Sequence, residues 1–331
     1  MKKPMITALL LITLPCAALA AENETYIDYA VGTLAQSESH TALESFSAYM
    51  PSVIISSSML YRHNEAVKAA QILAEEEAAA AANAVPEEKE GLADLKEQIT
   101  EYIDTRAGDW GVYVKNLNTN EYLSINEKSY SSASLIKLFT LAAVYNELEY
   151  GSVTRTAEVD NLLNLMITQS SNTAFNTLTE IIGGGSTVNG FDVENANTNV
   201  LGCVNTQHKS QLVDKAGESA IFVGYNLTSP ADCGNILEMI YRGTLVSETA
   251  SEEMLNLLKA QTRTWKIPSA LPEGTVTANK TGENSKVEGD AAIVYSPACD
   301  YILCVIGNGS VGAGTETIRS ISASVYSYFN K

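Results

Sequence analysis

The alternation of apolar and polar positions predicts strands near both ends of one long segment of the chain and helices between them. Residues 110–126 have the pattern of a hairpin with a turn at Asn118-Thr119-Asn120. Three later strands are predicted over residues 275–280, 291–295 and 301–306. Helical spacing is found at 92–103, 161–168, 172–182, 230–242, 254–259 and 318–329. A capping box of Thr249 and Glu252 is predicted to begin the helix over 254–259.

This order of elements predicts an α+β fold. Strands from both chain ends would form one antiparallel five-stranded sheet, an α/β sandwich covered by the terminal helices, with an all-helical lobe inserted between them. Residues 92–331 are long enough to form such a unit around a sizeable core. Residues 184–227 are polar and rich in glycine, so we expect an irregular stretch there that serves a site.

The first part of the chain has a different character. Lys2 and Lys3 precede an apolar run and the small residues Ala18-Leu19-Ala20, the pattern of a secretory signal peptide over residues 1–20. Residues 21–91 include the low-complexity run EEEAAAAANAVPEEKE, which offers no apolar face to bury, and we interpret them as a spacer. A small binding module within 22–64 is the alternative. We expect export to the periplasm or cell wall without a membrane anchor.

The charge of the chain limits its partners. The formal net charge is −18 and becomes −20 once the two lysines of the predicted leader are removed. So acidic a surface argues against nucleic acid and anionic membranes as partners.

The candidate chemistry begins at a segment that is apolar on every side, residues 138–144, which predicts a buried helix. Ser134 lies at its mouth, and Lys137 follows one turn later on the same face. Burial disfavours the charged form of an amine, so Lys137 can take the proton of the Ser134 hydroxyl. A lysine on an ordinary amphipathic helix is the alternative for this pair alone.

Two further short motifs support the chemical interpretation. Ser170-Ser171-Asn172 precedes a predicted helix, and Lys280-Thr281-Gly282 ends a predicted strand. Each is weak alone. In this order after Ser134 and Lys137, they match the set found in class A β-lactamases and penicillin-binding proteins.

From about residue 92 to the end, the chain resembles the class A β-lactamase family. The likeness includes YSSASLIKLF, MITQSSNTAFN, TSPADCGNILEMIYRG, SALPEG, ANKTGE and DAAIVYSP, in the family's order. It implies the two-lobed fold with a serine acyl-transfer site between the lobes.

The resemblance also implies roles for individual residues. Ser134 would be the nucleophile, Lys137 its base partner, and Ser170 a proton shuttle to the leaving nitrogen. Asn172 would hold the amide of the substrate side chain. Lys280, Thr281 and Gly282 would form the strand edge that binds the substrate, where the first two hold its carboxylate. The backbone N–H groups of Ser134 and Glu283 would form the oxyanion hole.

The chain departs from the family pattern in the loop that carries the deacylating acid. The family's E-x-x-L-N is absent from TQHKSQLVDKAGESAIFVGYN, where Asp214 and Glu218 are the candidate acids. Glu283 places a negative charge beside a site expected to bind carboxylate, and Lys266 is the candidate second cation. The residues for acylation are therefore all predicted, whereas the base for deacylation is not identified.

The remaining cysteines and histidines suggest little chemistry. Four cysteines remain after export and allow three pairings. Cys203–Cys233 would tie the ends of the irregular loop and Cys299–Cys304 would close a strand turn, and four buried free thiols are the alternative. A zinc site at Cys203, His208 and Cys233 lacks a standard spacing. We expect no metal and no cofactor.

The sequence therefore predicts an exported, monomeric serine hydrolase that opens β-lactam rings through an acyl-serine intermediate. A D-alanyl-D-alanine carboxypeptidase or transpeptidase acting on peptidoglycan stem peptides would use the same residues. A penicillin-binding sensor that is acylated once and stays acylated is the third possibility.

Overall fold

The computed structural model describes residues 89–90, 92–213, 220–309 and 313–331. These residues belong to the unit Pro86–Lys331. The predicted leader and, apart from residues 89–90, the predicted spacer lie outside the described residues. Within the described ranges, no helix combines the length and the apolar character that crossing a membrane requires.

The strands of the described residues form two sheets. They are β1 Lys89–Glu90, β2 Asp109–Asn116, β3 Glu121–Ile125, β4 Tyr130–Ser131, β5 Leu227–Thr228, β6 Val276–Glu283, β7 Val287–Tyr295 and β8 Asp300–Asn308. The large sheet has the order β1-β3-β2-β8-β7-β6, and β4 pairs with β5 separately. Its five long strands are antiparallel, as predicted from the two ends of the segment, and the two-residue β1 adds a parallel partner to β3.

The helices of the described residues cover both faces of this sheet and form the inserted lobe. They are α1 Ala93–Asp104, α2 Lys137–Glu149, α3 Ala157–Thr168, α4 Asn172–Ile182, α5 Thr187–Val200, α6 Pro230–Tyr241, α7 Glu248–Lys259 and α8 Gly314–Phe329. Short 3₁₀ turns precede α2 at Ala133–Ile136 and follow α7 at Pro268–Ala270.

Two apolar cores lie on opposite faces of the sheet. On one face, side chains such as Val112 and Leu303 pack with the terminal helices α1 and α8. On the other face, Tyr113 and Ile302 pack with α2, α6 and the helical lobe. Because both faces are covered, the strands are nearly continuous apolar runs rather than strict alternations. The α+β prediction is confirmed.

One expectation about the lobe is wrong. Residues 187–200 form the helix α5, where the sequence predicted an irregular stretch. Its buried positions are Thr187, Gly190, Phe191, Glu194 and Thr198. They follow helical spacing, but only one of them is a large apolar residue, so the apolar pattern did not show the helix.

Gly190 allows α5 to lie directly against α4. A β-carbon at Gly190 would lie 2.0 Å from the Thr179 carbonyl oxygen. No side chain fits at that distance, so this contact requires glycine.

The predicted capping box before Met254 is also wrong. Helix α7 begins at Glu248, and its N-cap is Ser247, whose side chain accepts a hydrogen bond from the Ala250 N–H. Thr249 and Glu252 lie inside the helix, where the backbone N–H groups of the first turn are no longer available to them.

Candidate active site

Ser134 lies in the 3₁₀ turn that leads into the buried helix α2. The turn begins with Ala133 in the left-handed region, at φ 44°. Two glycines of the sheet make room for it. A β-carbon at Gly282 would lie 2.8 Å from Leu135 Cγ, and one at Gly289 would lie 2.9 Å from Leu135 Cδ1. The Ser134 turn is therefore held directly against β6 and β7, and this contact brings the helical lobe to the sheet.

The side-chain amine of Lys137 connects the candidate groups. Lys137 is fully buried at the start of α2. Its Nζ lies 2.9 Å from Ser134 Oγ, 2.8 Å from the Ser170 carbonyl oxygen and 2.7 Å from Asn172 Oδ1. Ser170 Oγ is 3.3 Å away. The first two sequence motifs thus meet at one amine.

The backbone of the Ser170-Ser171-Asn172 motif is arranged to present Ser170. Ser170 has φ 61°, in the left-handed region that non-glycine residues adopt at a cost of roughly 1–3 kcal/mol. Ser171, which replaces the family's usual aspartate, is the N-cap of α4 and accepts a hydrogen bond from the Ala174 N–H at 3.1 Å. Serine and aspartate both suit this capping position, which explains why the replacement preserves the helix start.

Lys280 reaches the same serine from the sheet. It is fully buried, and its Nζ donates to Ser170 Oγ at 2.9 Å and to the Thr281 carbonyl at 2.7 Å. Burial, together with the nearby Arg263, lowers the pKa of Lys280 to about 7, against the opposing effects of Asp290 and Glu283. A continuous set of hydrogen bonds therefore joins Ser134, Lys137, Ser170 and Lys280.

The end of β6 carries a group of charges. Thr281 is buried, and Glu283 is paired with Arg263 Nη1 at 2.6 Å and with Lys266 Nζ at 2.8 Å. Lys266 is fully buried, and its Nζ also lies 2.8 Å from Glu288 Oε2. Arg263 was not predicted from the sequence, because no local motif provides a signal for it.

The loop that follows α5 approaches the site through its backbone. Asn172 Nδ2 donates to the Val213 carbonyl at 3.1 Å. Asn176 exchanges hydrogen bonds with Leu212, donating to its carbonyl at 2.8 Å and accepting from its N–H at 2.9 Å. Asp214 and Glu218, the candidate acids, lie outside the described residues.

The four cysteines of the described residues, Cys203, Cys233, Cys299 and Cys304, are buried free thiols. Burial, together with the nearby Asp232, raises the pKa of the Cys203 thiol to about 12, against a hydrogen bond from Asn235. His208 lies against Thr140 and Glu194. Among the described residues, no cluster of three or more potential metal ligands is found.

Comparison with known proteins agrees with the fold. The chain matches the family model described as the β-lactamase enzyme family over residues 94–329. A search of the curated proteins found no match.

Solved structures of similar fold include penicillin-binding and β-lactamase proteins. The structure of PBP-A has a TM-score of 0.66 and 25% identity, covering 75% of this chain and 99% of PBP-A. A PBP-A mutant solved as an acyl-enzyme complex with penicillin G has a TM-score of 0.65 and 25% identity, covering 74% and 99%. A β-lactamase from Sphaerobacter thermophilus DSM 20745 has a TM-score of 0.61 and 21% identity, covering 72% and 98%, which shows similarity of fold. The resemblance inferred from the motifs is confirmed, and the chain belongs to the β-lactamase enzyme family.

Proposed function

We propose that the protein is an exported serine hydrolase of the class A type that opens β-lactam rings through an ester on Ser134. The observation that carries this proposal is the position of Lys137, whose Nζ lies 2.9 Å from Ser134 Oγ and 3.3 Å from Ser170 Oγ. An amine within hydrogen-bond distance of a hydroxyl is the arrangement that activates a serine nucleophile.

In the proposed acylation, neutral Lys137 takes the Ser134 hydroxyl proton while Oγ bonds to the lactam carbonyl carbon. The carbonyl oxygen becomes an oxyanion that accepts hydrogen bonds from the backbone N–H groups of Ser134 and Glu283. The C–N bond then breaks, and the nitrogen receives the Ser170 hydroxyl proton. Lys137 returns its proton to Ser170, so every proton is accounted for.

Two further groups hold the substrate in this proposal. Asn172 Nδ2 is 3.1 Å from the Val213 carbonyl, and we assign the Asn172 amide to the substrate's acylamino side chain. Lys280, Thr281 and the strand edge at Gly282 would receive the substrate carboxylate. Lys266 is assigned an indirect role, since its ammonium is buried between Glu283 and Glu288.

A second candidate function is a carboxypeptidase or transpeptidase acting on peptidoglycan stem peptides. The specific observation in its favour is the 25% identity to PBP-A together with the absence of the family's E-x-x-L-N motif from the loop. Acylation would proceed on the same residues, and the acceptor of the acyl group would differ. A sensor that remains acylated would show the same first step.

The time course of acylation tests these alternatives. We expect one equivalent of penicillin G to add rapidly and to leave slowly, because a missing general base typically slows a step by about 10²- to 10⁴-fold. Intact-mass spectrometry after mixing would record a shift by the whole penicillin mass, followed by slow recovery of the free protein.

Fast turnover without accumulation of the adduct would contradict the slow deacylation and indicate that the loop supplies a base. The Asp214→Asn and Glu218→Gln variants would then locate it, because the variant that accumulates the adduct has lost the base. If no adduct forms under any condition, the β-lactam function itself is wrong.

A further inference from the structure

The charged side chains at the end of β6 lie next to the proposed carboxylate site. The Glu283 carboxylate is bound on both oxygens: Arg263 Nη1 lies 2.6 Å from Oε1, and Lys266 Nζ lies 2.8 Å from Oε2. Burial raises the pKa of Glu283, but Lys266 and Arg263 outweigh it and hold this pKa below its usual range. The carboxylate is therefore ionised and fully engaged at neutral pH.

Glu283 shares a face of β6 with Thr281, one of the residues proposed to receive the substrate carboxylate. Side chains two residues apart on a strand share one face and are about 6.5–7 Å apart along it, so Glu283 and Thr281 are neighbours. Arg263 approaches the same place from the other direction, since its Nε donates to the Gln169 carbonyl at 3.2 Å, one residue before Ser170. The Arg263 side chain is about one third exposed, at 35%.

The charges described here are balanced by the protein itself. The three cations are Lys280, Arg263 and Lys266. Glu283 neutralises Arg263 and shares Lys266 with Glu288. Asp290, fully buried, raises the pKa of Lys280. A carboxylate arriving at Thr281 would thus find Arg263 and Lys266 already paired with carboxylates, and it would meet the like charge of Glu283.

We propose that Glu283 is a specificity-determining residue that lowers the preference of this site for substrates with a free carboxylate. Its side chain occupies the Arg263 guanidinium, which would otherwise be available to a substrate carboxylate. The substrate class that this arrangement tolerates has a neutral or cationic group at that end, such as an esterified or amidated carboxyl. This inference rests on the proposed acylation of Ser134.

The experiment measures the second-order rate constant of acylation for penicillin G and for its methyl ester. The ratio of acid to ester is the readout, compared between the wild type and Glu283→Gln. Two like charges at about 7 Å in a partly exposed site change a binding equilibrium by about tenfold. We therefore expect the acid-to-ester ratio to rise about tenfold in Glu283→Gln, and the increase to shrink as salt is added.

Glu288→Gln is the matched control. Glu288 pairs with Lys266 at the same 2.8 Å as Glu283 does, and it lies directly opposite Glu283 in the β6–β7 register. The two glutamates differ in that Glu283 also pairs with Arg263. The acid-to-ester ratio of Glu288→Gln is expected to stay within about twofold of the wild type, because Glu288 lies on β7, one strand further from the proposed carboxylate site than β6, and Lys266 keeps Glu283 as a partner. The Glu283→Gln/Arg263→Gln double variant should not show the increase in the acid-to-ester ratio that is expected for Glu283→Gln.

Several results would overturn the inference. A ratio in Glu283→Gln equal to that of the wild type, with normal labelling of Ser134, would refute the role of Glu283 while leaving the proposed function intact. Equal increases in Glu283→Gln and Glu288→Gln would refute it as well.

A single substitution of Arg263 gives an independent arm should Glu283→Gln fail to fold. Because Arg263 neutralises part of the Glu283 charge, Arg263→Gln alone is expected to lower the acid-to-ester ratio, and a ratio that stays equal or rises would contradict the proposal. Absence of labelling in the wild type would remove the proposed function and this inference together.

Discussion

Replacement of Lys137 by methionine is expected to slow acylation of Ser134 by about 10²- to 10⁴-fold, the usual contribution of a general base. Methionine is unbranched and apolar and fills irregular core space well, so it suits a fully buried position at the start of α2. The substitution removes the amine that lies 2.9 Å from Ser134 Oγ and 3.3 Å from Ser170 Oγ. The second-order rate constant for labelling by a fluorescent penicillin measures the loss.

Lys115 provides a matched control within the same protein. It is also buried, at 1% exposure, and its Nζ pairs with Glu238 Oε2 at 2.6 Å. Lys115→Met removes a buried ammonium outside the candidate site, so it should lower stability and leave the labelling rate of the folded protein near the wild-type value. If Lys137→Met labels within tenfold of the wild type, Lys137 is not the base.

Replacement of Glu194 by glutamine is expected to remove a large part of the pH dependence of stability. Glu194 of α5 is fully buried and accepts hydrogen bonds on Oε1 from Thr140 of α2 at 2.7 Å and Thr179 of α4 at 2.9 Å. His208, also fully buried, places its Nε2 3.8 Å from Glu194 Oε2. This cluster joins the helix that carries Lys137 to the helix that begins at Asn172.

Both titratable groups of the cluster are neutral near pH 7. Burial raises the pKa of Glu194 to about 8, against the hydrogen bonds from Thr140 and Thr179. Burial lowers the pKa of His208 to about 3, against a hydrogen bond to the backbone of Ile136. A neutral histidine beside a protonated carboxyl group needs no ion pair, which suits a site without solvent.

The raised pKa of Glu194 fixes the sign of the effect. The unfolded chain loses the Glu194 proton near pH 4.5, whereas the folded protein keeps it until about pH 8. The free energy of unfolding therefore falls as the pH rises between these two values, and this contribution is fully present only below the lower one. His208 affects stability at acidic pH, since its contribution to the free energy of unfolding is lost as the pH falls from about 6.5 to about 3.

The test is urea unfolding of the wild type and Glu194→Gln at several pH values. Between about pH 5 and about pH 8.5, the difference in unfolding free energy between the two proteins should change by roughly 4 kcal/mol in favour of the variant. Asp290 and Lys280 also titrate near pH 7, but they do so in both proteins and cancel in the difference. Parallel curves for the two proteins would show that Glu194 is ionised in the folded state.

The sequence was most informative where burial is apolar. The strand prediction at 301–306 and the buried helix after Lys137 both lie where consecutive side chains are fully buried. It was least informative at α5, whose buried side carries Glu194 and two threonines. Glu194 buries its carboxyl group through contacts with Thr140 and Thr179, which are distant in sequence and invisible in a local pattern.

The same distinction applies to the candidate site. The short motifs located Ser134, Lys137, Ser170 and Lys280, because the chemistry imposes residue types at local spacing. Arg263 lies 20 residues from Glu283 and pairs with it only because α7, the following segment and β6 lie together in the fold. Lys266 was predicted as a cation for the substrate, and its two carboxylate partners became apparent only from the pairing of β6 with β7.

The most direct test of the central claim is to locate the penicillin adduct. Protein labelled with a fluorescent penicillin would be digested, and the labelled peptide would be identified by mass spectrometry in the wild type and in Ser134→Ala. The account predicts an ester on Ser134 in the wild type and complete loss of label in a folded Ser134→Ala variant. Label on Ser170 or any other residue, or label retained in Ser134→Ala, would contradict it.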